Sequence, residues 1–237
     1  MEPELPGTGS GLHAEPVTED CRLIWKRGEH ALIGISGGNS YFNQDRLTVL
    51  LHWAADHFAD IDVVYVDTHM EEMLVADGRS PEYAARSVKR TLKDVRRRIR
   101  RSLERVGSEA KRFHVRALSE VMTLPEYRAV VERTERAFRD DRGFSSACER
   151  MVRQVLLSKR GDPADISPAH LAAGLRYVMA EAPLFVDSPI IFGTPSSTLL
   201  YHLSTPVTDY FAGKQTGFRA APGQGYVVVG PRQAAYG

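Results

Sequence analysis

The chain of 237 residues holds only two cysteines, Cys21 and Cys148, far apart in sequence. Two distant thiols make no disulfide framework, so secreted disulfide scaffolds are excluded and the fold must rest on an apolar core. Long hydrophobic runs are missing as well; no stretch approaches the ~20 apolar residues that cross a bilayer. The opening MEPELPGTGSGLHAEPVTED has neither a basic segment nor an apolar one, so it does not read as a signal peptide. An excess of either charge is absent, since 31 Lys and Arg face 30 Asp and Glu; a net charge of +1 predicts no polyanionic partner by itself. There is no internal repeat and no linker dividing the chain. What is present is ordinary for a globular protein: 43% hydrophobic and 26% charged residues. A chain this long hides roughly 70–75% of its unfolded surface. The expectation is a cytoplasmic protein with one domain over residues 19–230, a disordered segment at 1–18 and a flexible tail at 231–237.

Hydrophobic periodicity predicts an α/β domain of Rossmann type with a parallel sheet. Ala31–Ser36 is a short apolar run ending in Gly37-Gly38, which reads as a buried strand feeding a tight loop. Gln44–Phe58 follows with Leu47, Leu50, Leu51 and Ala54 at helical spacing, and Ile61–Val66 is a second buried-strand signature. Strand, loop, helix, strand is the unit of a parallel sheet. A long helix is predicted over Ser80–Val106, with Pro81 in its first turn and Gly107 just past its end. A strand near Phe113–Val115 and helices over Leu124–Phe138 and Ser145–Leu157 come next. A helix over Pro168–Glu181 is expected to stop before Pro183, followed by strands near Ile190–Phe192 and Tyr226–Val229.

Charge is concentrated locally even though it cancels globally. Between Arg86 and Arg105 stand ten Lys or Arg and two acidic residues. Val88, Leu92, Val95, Ile99, Leu103 and Val106 form one apolar stripe, while Arg86, Arg90, Lys93, Arg97, Arg100 and Arg101 fall on the other side. Like charges one turn apart repel unless a counter-charge is supplied, and a polyanion would supply it. A solvated basic face is the alternative. The second local feature is the loop GISGGNSYF (Gly34–Phe42). A serine at a strand end gains exposure and nearby backbone N–H groups, and the glycines permit close approach of a substrate. Taken alone the loop also resembles the phosphate-binding loop of ATP pyrophosphatases, although Asn39 stands where that family carries Asp.

The loop does not stand alone. YVDTHMEEMLVADGRS (Tyr65–Ser80), the basic helix, LRYVMAEAPLF (Leu175–Phe185) and LLYHLSTP (Leu199–Pro206) follow it. In this order and spacing, from about Arg22 to Val229, the chain resembles the cyclodipeptide synthases, in particular their Asn-Tyr-His subfamily. The resemblance implies a fold like the catalytic domain of class I Tyr and Trp aminoacyl-tRNA synthetases, without their ATP-binding signatures. It implies two aminoacyl-tRNAs as substrates, no cofactor, no metal and no membrane, and we expect a monomer. By motif, Ser36 corresponds to the nucleophile that becomes esterified. Tyr177 and Glu181, one turn apart on a helix, correspond to the pair that holds the substrate amino group. Tyr201 corresponds to the proton relay, with Asn39 and His202 positioning it. The first-substrate pocket maps onto Leu32, Gly34, Val64, Leu118, Leu184 and Leu199, an apolar slot suited to Phe, Leu or Tyr. The second maps onto Met151, Ser158, Phe185, Val186, Ser204 and Thr205. The tRNA would lie on Arg90, Lys93, Arg97, Arg98, Arg100 and Arg101. Two other functions remain open at this point: an ATP-using adenylating enzyme, and a tRNA-binding module without catalysis.

Overall fold

The computed structural model describes residues 11–213 and 217–231. Strand β1 (Leu12–Pro16) and helix α1 (Glu19–Arg27) precede β2 (His30–Ile35), α2 (Gln44–His57) and β3 (Asp60–Tyr65). Helices α3 (Met70–Ala76) and α4 (Pro81–Val106) lead to β4 (Phe113–Ala117) and the short α5 (Leu118–Val121). Then come α6 (Pro125–Asp140), α7 (Arg142–Arg160), α8 (Pro168–Phe192), β5 (Ser197–Tyr201), α9 (Pro206–Ala212) and β6 (Gln224–Pro231). The strands form one sheet in the order β1-β6-β5-β2-β3-β4. All neighbours run parallel except β1, which pairs antiparallel with β6.

The central strands are apolar almost throughout because both faces are covered. Ala31, Ile33 and Ile35 pack with Leu47, Leu51 and Trp53 of α2 and with Val95 and Ile99 of α4. Leu32 on the opposite face packs with Val64, Leu118, Leu184 and Leu199 beneath α6 and α8. The amphipathic stripe of α4 points inward as its spacing predicts: Val88, Val95, Ile99 and Val106 are buried. Ser80 caps that helix by accepting from the Tyr83 N–H, Pro81 fills its first turn, and Gly107 ends it at φ 73°.

Three expectations need correction. Residues 1–18 do not all lie outside the fold, because Leu12–Pro16 is an edge strand in register from Leu12↔Pro231 to Pro16↔Val227. Its alternating half-exposed pattern carries little apolar signal, which hid it; residues 1–10 lie outside the described residues, as do 232–237 of the expected tail. Helix α8 does not stop before Pro183 but passes through it to a kink at the non-helical Asp187, beyond which a second short helical stretch continues through Pro189 to Phe192. Pro189 falls in the first turn after the kink, where a missing N–H costs little, and Asp187 Oδ1 accepts from the Ile190 N–H at 3.3 Å. Pro189 cannot donate to the Phe185 carbonyl, and the Tyr226 hydroxyl donates to that carbonyl instead, at 2.5 Å. The Ser188 N–H, displaced by the kink, donates to Gln224 Oε1 at 2.8 Å. Ile190–Phe192 is therefore the end of a helix and not a strand. The strand lies further on, at Ser197–Tyr201.

Candidate active site

From β2 the chain passes to β3 and β4 on one side, then returns to place β5 and β6 on the other. The strand order reverses between β2 and β5, and ligands of open α/β sheets bind outside the carboxyl ends of the strands at such a point. Ser36 follows directly on the end of β2, and Tyr201 is the last residue of β5. The loop after Ser36 is tight. Asn39 N–H donates back to the Ser36 carbonyl, and Gly38 sits at φ +84°. A Cβ on Gly37 would lie 2.5 Å from Met70 Cε and 3.3 Å from Thr91 Cγ2, so the loop lies close against α3 and α4 here. Helix α2 begins well downstream, and its N-cap is the Asn43 side chain bonded to the Arg46 N–H. The loop thus does not deliver a helix N-terminus to a phosphate, which separates it from the ATP-pyrophosphatase arrangement.

Four of the expected residues converge on Ser36. Its hydroxyl lies close enough to the phenols of Tyr177 and Tyr201 to act on both, lowering each against the upward push of burial. Asn39 Nδ2 donates to the Tyr201 hydroxyl at 3.4 Å, while Asn39 Oδ1 accepts from the Tyr41 N–H at 2.9 Å. That second bond fixes the amide's orientation, since only an oxygen can accept from a backbone N–H. Tyr201 oxygen consequently accepts from Asn39 and keeps its own proton to donate. Glu181 stands close enough for its charge to act on Tyr177, Tyr201 and Tyr127.

Burial dominates the electrostatics. It pushes the Glu181 carboxyl from 4.5 up to about 8. It pushes Tyr201 up to about 12 and Tyr177 well above the usual phenol value, with the Glu181 charge adding to both. His202 goes down to about 4, through burial first and the Arg46 charge second. Each of these shifts favours the neutral form of its group. His202 lies flat on Tyr41, ring centroids 4.0 Å apart, and edge-on to Phe42 at 5.6 Å. Its Nδ1 is buried without a hydrogen-bond partner among the described residues. It therefore packs the aromatic group behind Tyr201, and a neutral ring suits that place. Tyr127, whose hydroxyl donates to the Ala180 carbonyl at 2.7 Å beside Glu181, went unnoticed in the sequence. As one more residue of an apolar helical stripe, it gave no signal.

Most of the residues expected to line the first pocket lie together. Leu32, Val64, Leu118, Leu184 and Leu199 are buried in one cluster. On the same face of β2, the Cβ that Gly34 lacks would meet nothing within 4 Å, so open space adjoins the cluster. The residues expected around the second pocket are only partly brought together. Met151 and Phe185 share a neighbouring cluster, and Val186 is buried with the first. The Thr205 hydroxyl caps α9. Ser204 bonds Asp209 at 2.5 Å. Ser158 lies exposed on α7, its hydroxyl on the Val155 carbonyl at 2.9 Å, and is not among them.

Along α4 the cations divide. Arg90, Lys93, Arg97, Arg100 and Arg101 are exposed, as expected. Arg97 pairs with Asp94 at 2.9 Å and Arg100 with Glu104 at 3.6 Å. Among the described residues, Arg86, Lys89, Arg90, Lys93, Arg96 and Arg101 have no carboxylate partner. Arg98 departs from the expectation: it turns inward, and its guanidinium donates to the Phe42 carbonyl. A groove of about 570 Å³ between the far half of α4 and β4, lined by Tyr65, Ile99, Leu103 and Val115, holds none of the residues around Ser36. Among the described residues no helix is long and apolar enough to cross a membrane, and no cluster of His, Cys, Asp and Glu could hold a metal ion.

Comparison with known proteins gives one consistent result. The family model described as cyclodipeptide synthase matches residues 12–231. The cyclo(L-leucyl-L-phenylalanyl) synthase of Streptomyces noursei is 59% identical over 98% of this chain and 97% of its own. A crystal structure of a cyclo(L-leucyl-L-phenylalanyl) synthase superposes with a TM-score of 0.89 at 60% identity, covering 94% of this chain and 99% of that one. A Mycobacterium tuberculosis structure, described as demonstrating that cyclodipeptide synthetases are related to type I tRNA synthetases, superposes at 0.85 with 33% identity, covering 98% and 99%.

Proposed function

The chain belongs to the cyclodipeptide synthases, and on that premise we propose that it joins two aminoacyl groups, each delivered by an aminoacyl-tRNA, into a diketopiperazine such as cyclo(Phe-Leu). The observation that carries this reading is the gathering of Tyr177 and Tyr201 beside Ser36, with Glu181 close to both phenols, at the reversal of strand order.

Ser36 Oγ attacks the ester carbonyl of the first aminoacyl-tRNA, giving up its proton; the tRNA leaves as its ribose hydroxyl after taking one up. The aminoacyl group is now an ester on Ser36. Glu181 and the Tyr177 hydroxyl hold its amino group, a carboxylate being the partner an ammonium needs. The amine, once deprotonated, attacks the second aminoacyl ester and the second tRNA leaves. The dipeptidyl amine then attacks the Ser36 ester, the ring closes, and Ser36 recovers a proton. Tyr201 relays protons here because its oxygen accepts and donates through one atom. The aliphatic cluster beside Gly34 suits Phe as the first residue, with Leu the second. The unpaired cations of α4 suit the tRNA backbone. The enzyme acts in the cytoplasm as a monomer.

The experiment is covalent labelling. Incubation with radiolabelled Phe-tRNA labels the wild type and leaves Ser36→Ala unlabelled, and synthesis falls on the order of 10³-fold or more. Equal labelling of both removes Ser36 from the nucleophile role.

A further inference from the structure

We propose that Arg98 is a positioning residue for the catalytic loop and not a tRNA phosphate contact, so that α4 holds tRNA with its outer face while its inner edge sets the geometry around Tyr201. The inference rests on Ser36 being the esterified residue and on α4 carrying the tRNA, and it concerns what one arginine does for each.

The inner edge of α4 is hydrogen-bonded to one end of the loop and lies against the other. The Arg98 guanidinium donates to the Phe42 carbonyl. The Gln44 side chain, two residues on, donates to the Arg98 carbonyl at 3.3 Å and to Ser102 Oγ at 2.7 Å. Thr48 Oγ1 joins the same Ser102 oxygen at 3.1 Å, and Ser102 is completely buried. At the other end of the loop Thr91 lies against Gly37, next to the nucleophile. The whole segment from Ser36 to the first turn of α2 is thus fastened to one helix.

Phe42 is the link onward. Its ring is 2% exposed and lies 6.1 Å from Tyr201 and 5.6 Å from His202, centroid to centroid. Arg98 holds the Phe42 backbone, Phe42 backs the two rings, and Asn39 on the same loop donates to the Tyr201 hydroxyl. Its neighbours Arg97 and Arg101 are exposed, whereas Arg98 is half-buried with its head group committed to a carbonyl. A guanidinium in that place is poorly available to a phosphate. Its loss lets the loop relax, and a displacement of about 1 Å at reacting groups costs on the order of 10²-fold in rate.

The test compares Arg98→Met, which keeps the apolar stem and loses the donors, with Arg101→Met on the exposed face. Binding of uncharged tRNA is measured against salt, and intact-protein mass spectrometry follows the aminoacyl and dipeptidyl adducts on Ser36 after mixing with charged tRNA. Arg98→Met is expected to bind tRNA with the wild-type salt slope while dipeptidyl enzyme accumulates and cyclic product forms roughly 10- to 100-fold more slowly. Arg101→Met is expected to flatten the slope by about 0.7–0.9, with the wild-type balance of adducts. Arg98→Lys, which restores a donor to Phe42, should recover the adduct balance; a purely structural defect shown by thermal unfolding would lower every step together. A flattened slope in Arg98→Met with a normal adduct balance overturns the proposal. Failure of Arg101→Met to change the slope counts against tRNA on α4 and leaves the adduct result for Arg98 decisive. Absence of any adduct in the wild type sinks the Ser36 reading and this proposal with it.

Discussion

Glu181 offers a prediction in which stability and function move in opposite directions. Its carboxyl stays protonated up to about pH 8 in the native centre, whereas an unfolded carboxyl releases its proton near 4.5. The native state thus binds a proton that the unfolded state has already lost. Below pH 4.5 both states hold it and stability is unaffected; between 4.5 and 8 the wild type loses stability as pH rises; above 8 the loss is complete. The gap between those two values sets a ceiling of roughly 5 kcal/mol. Glu181 retains partial contact with solvent, so about 2–3 kcal/mol is the expected loss. Glu181→Gln, neutral at every pH, removes this dependence. Its melting temperature relative to wild type should rise by about 4–12 °C between pH 5 and pH 9, taking about 2–4 °C per kcal/mol for a domain of this size. The same variant cannot offer an anion to the substrate ammonium. A charge-assisted hydrogen bond worth about 1.5–3 kcal/mol translates to roughly 10- to 150-fold slower product formation. Thermal unfolding across pH 5–9 with parallel synthesis assays checks both halves. A melting difference that stays constant with pH, or a wild type that gains on the variant as pH rises, would show that Glu181 is ionised in the native centre and refute the reasoning.

Three further expectations concern the relay, the helix and the pocket. Tyr201→Phe should still acquire the first aminoacyl group on Ser36, seen by intact mass, but release cyclic product about 10²–10⁴-fold more slowly; a normal cyclisation rate would leave Tyr201 a packing residue. Neutralising Arg90, Lys93 and Arg101 together should weaken use of every aminoacyl-tRNA alike, each lost phosphate contact flattening log K against log salt by about 0.7–0.9. Discrimination in the first pocket should be loose, because one methylene is worth only about 1–3 kcal/mol; product analysis should show minor Leu-, Tyr- or Met-containing diketopiperazines beside cyclo(Phe-Leu), and a spectrum without aromatic residues would mean the pocket is misread.

The local parts of the site were legible because each depends on a few adjacent residues. A buried-strand run ending in Ser-Gly-Gly places Ser36, and a four-residue interval on a helix puts Tyr177 and Glu181 on one face. The meeting of Ser36 with Tyr201 is a fact of sheet order, and no local pattern states that β5 lies beside β2; resemblance to a family supplied it. The full length of α8 was illegible for a different reason. Pro183 and Pro189 are breakers by intrinsic preference, and what overrides them is distant: Tyr226 and Gln224 satisfy the groups that the kink releases. Arg98 failed in the same way. Its side sits close to the boundary between the stripe and the charged face, and only the Phe42 carbonyl, on another element, decides which way the guanidinium turns.

The values that burial imposes also bear on how the two bond-forming steps divide their proton transfers. Burial favours the neutral forms of Glu181, His202 and both phenols. An arriving ammonium draws the Glu181 proton away, since an opposite charge within a few ångströms lowers a carboxyl. Before the amine can attack the second ester it must shed a proton. An α-amino group releases one near 7.7–8.0, which nearly matches the value of about 8 at Glu181. Burial makes Glu181 a stronger base than an ordinary carboxylate, which favours return of the proton to it. A carboxylate with an ordinary value would hold the ammonium but be too weak a base to take its proton. Tyr201, pushed up to about 12, cannot act as a standing base at all. Its oxygen, already receiving the Asn39 N–H, can release its proton to the departing Ser36 oxygen only as it takes one from the amine. In the proposed mechanism, burial thus suits the one carboxyl to the peptide-forming step and the phenol to a concerted relay in ring closure.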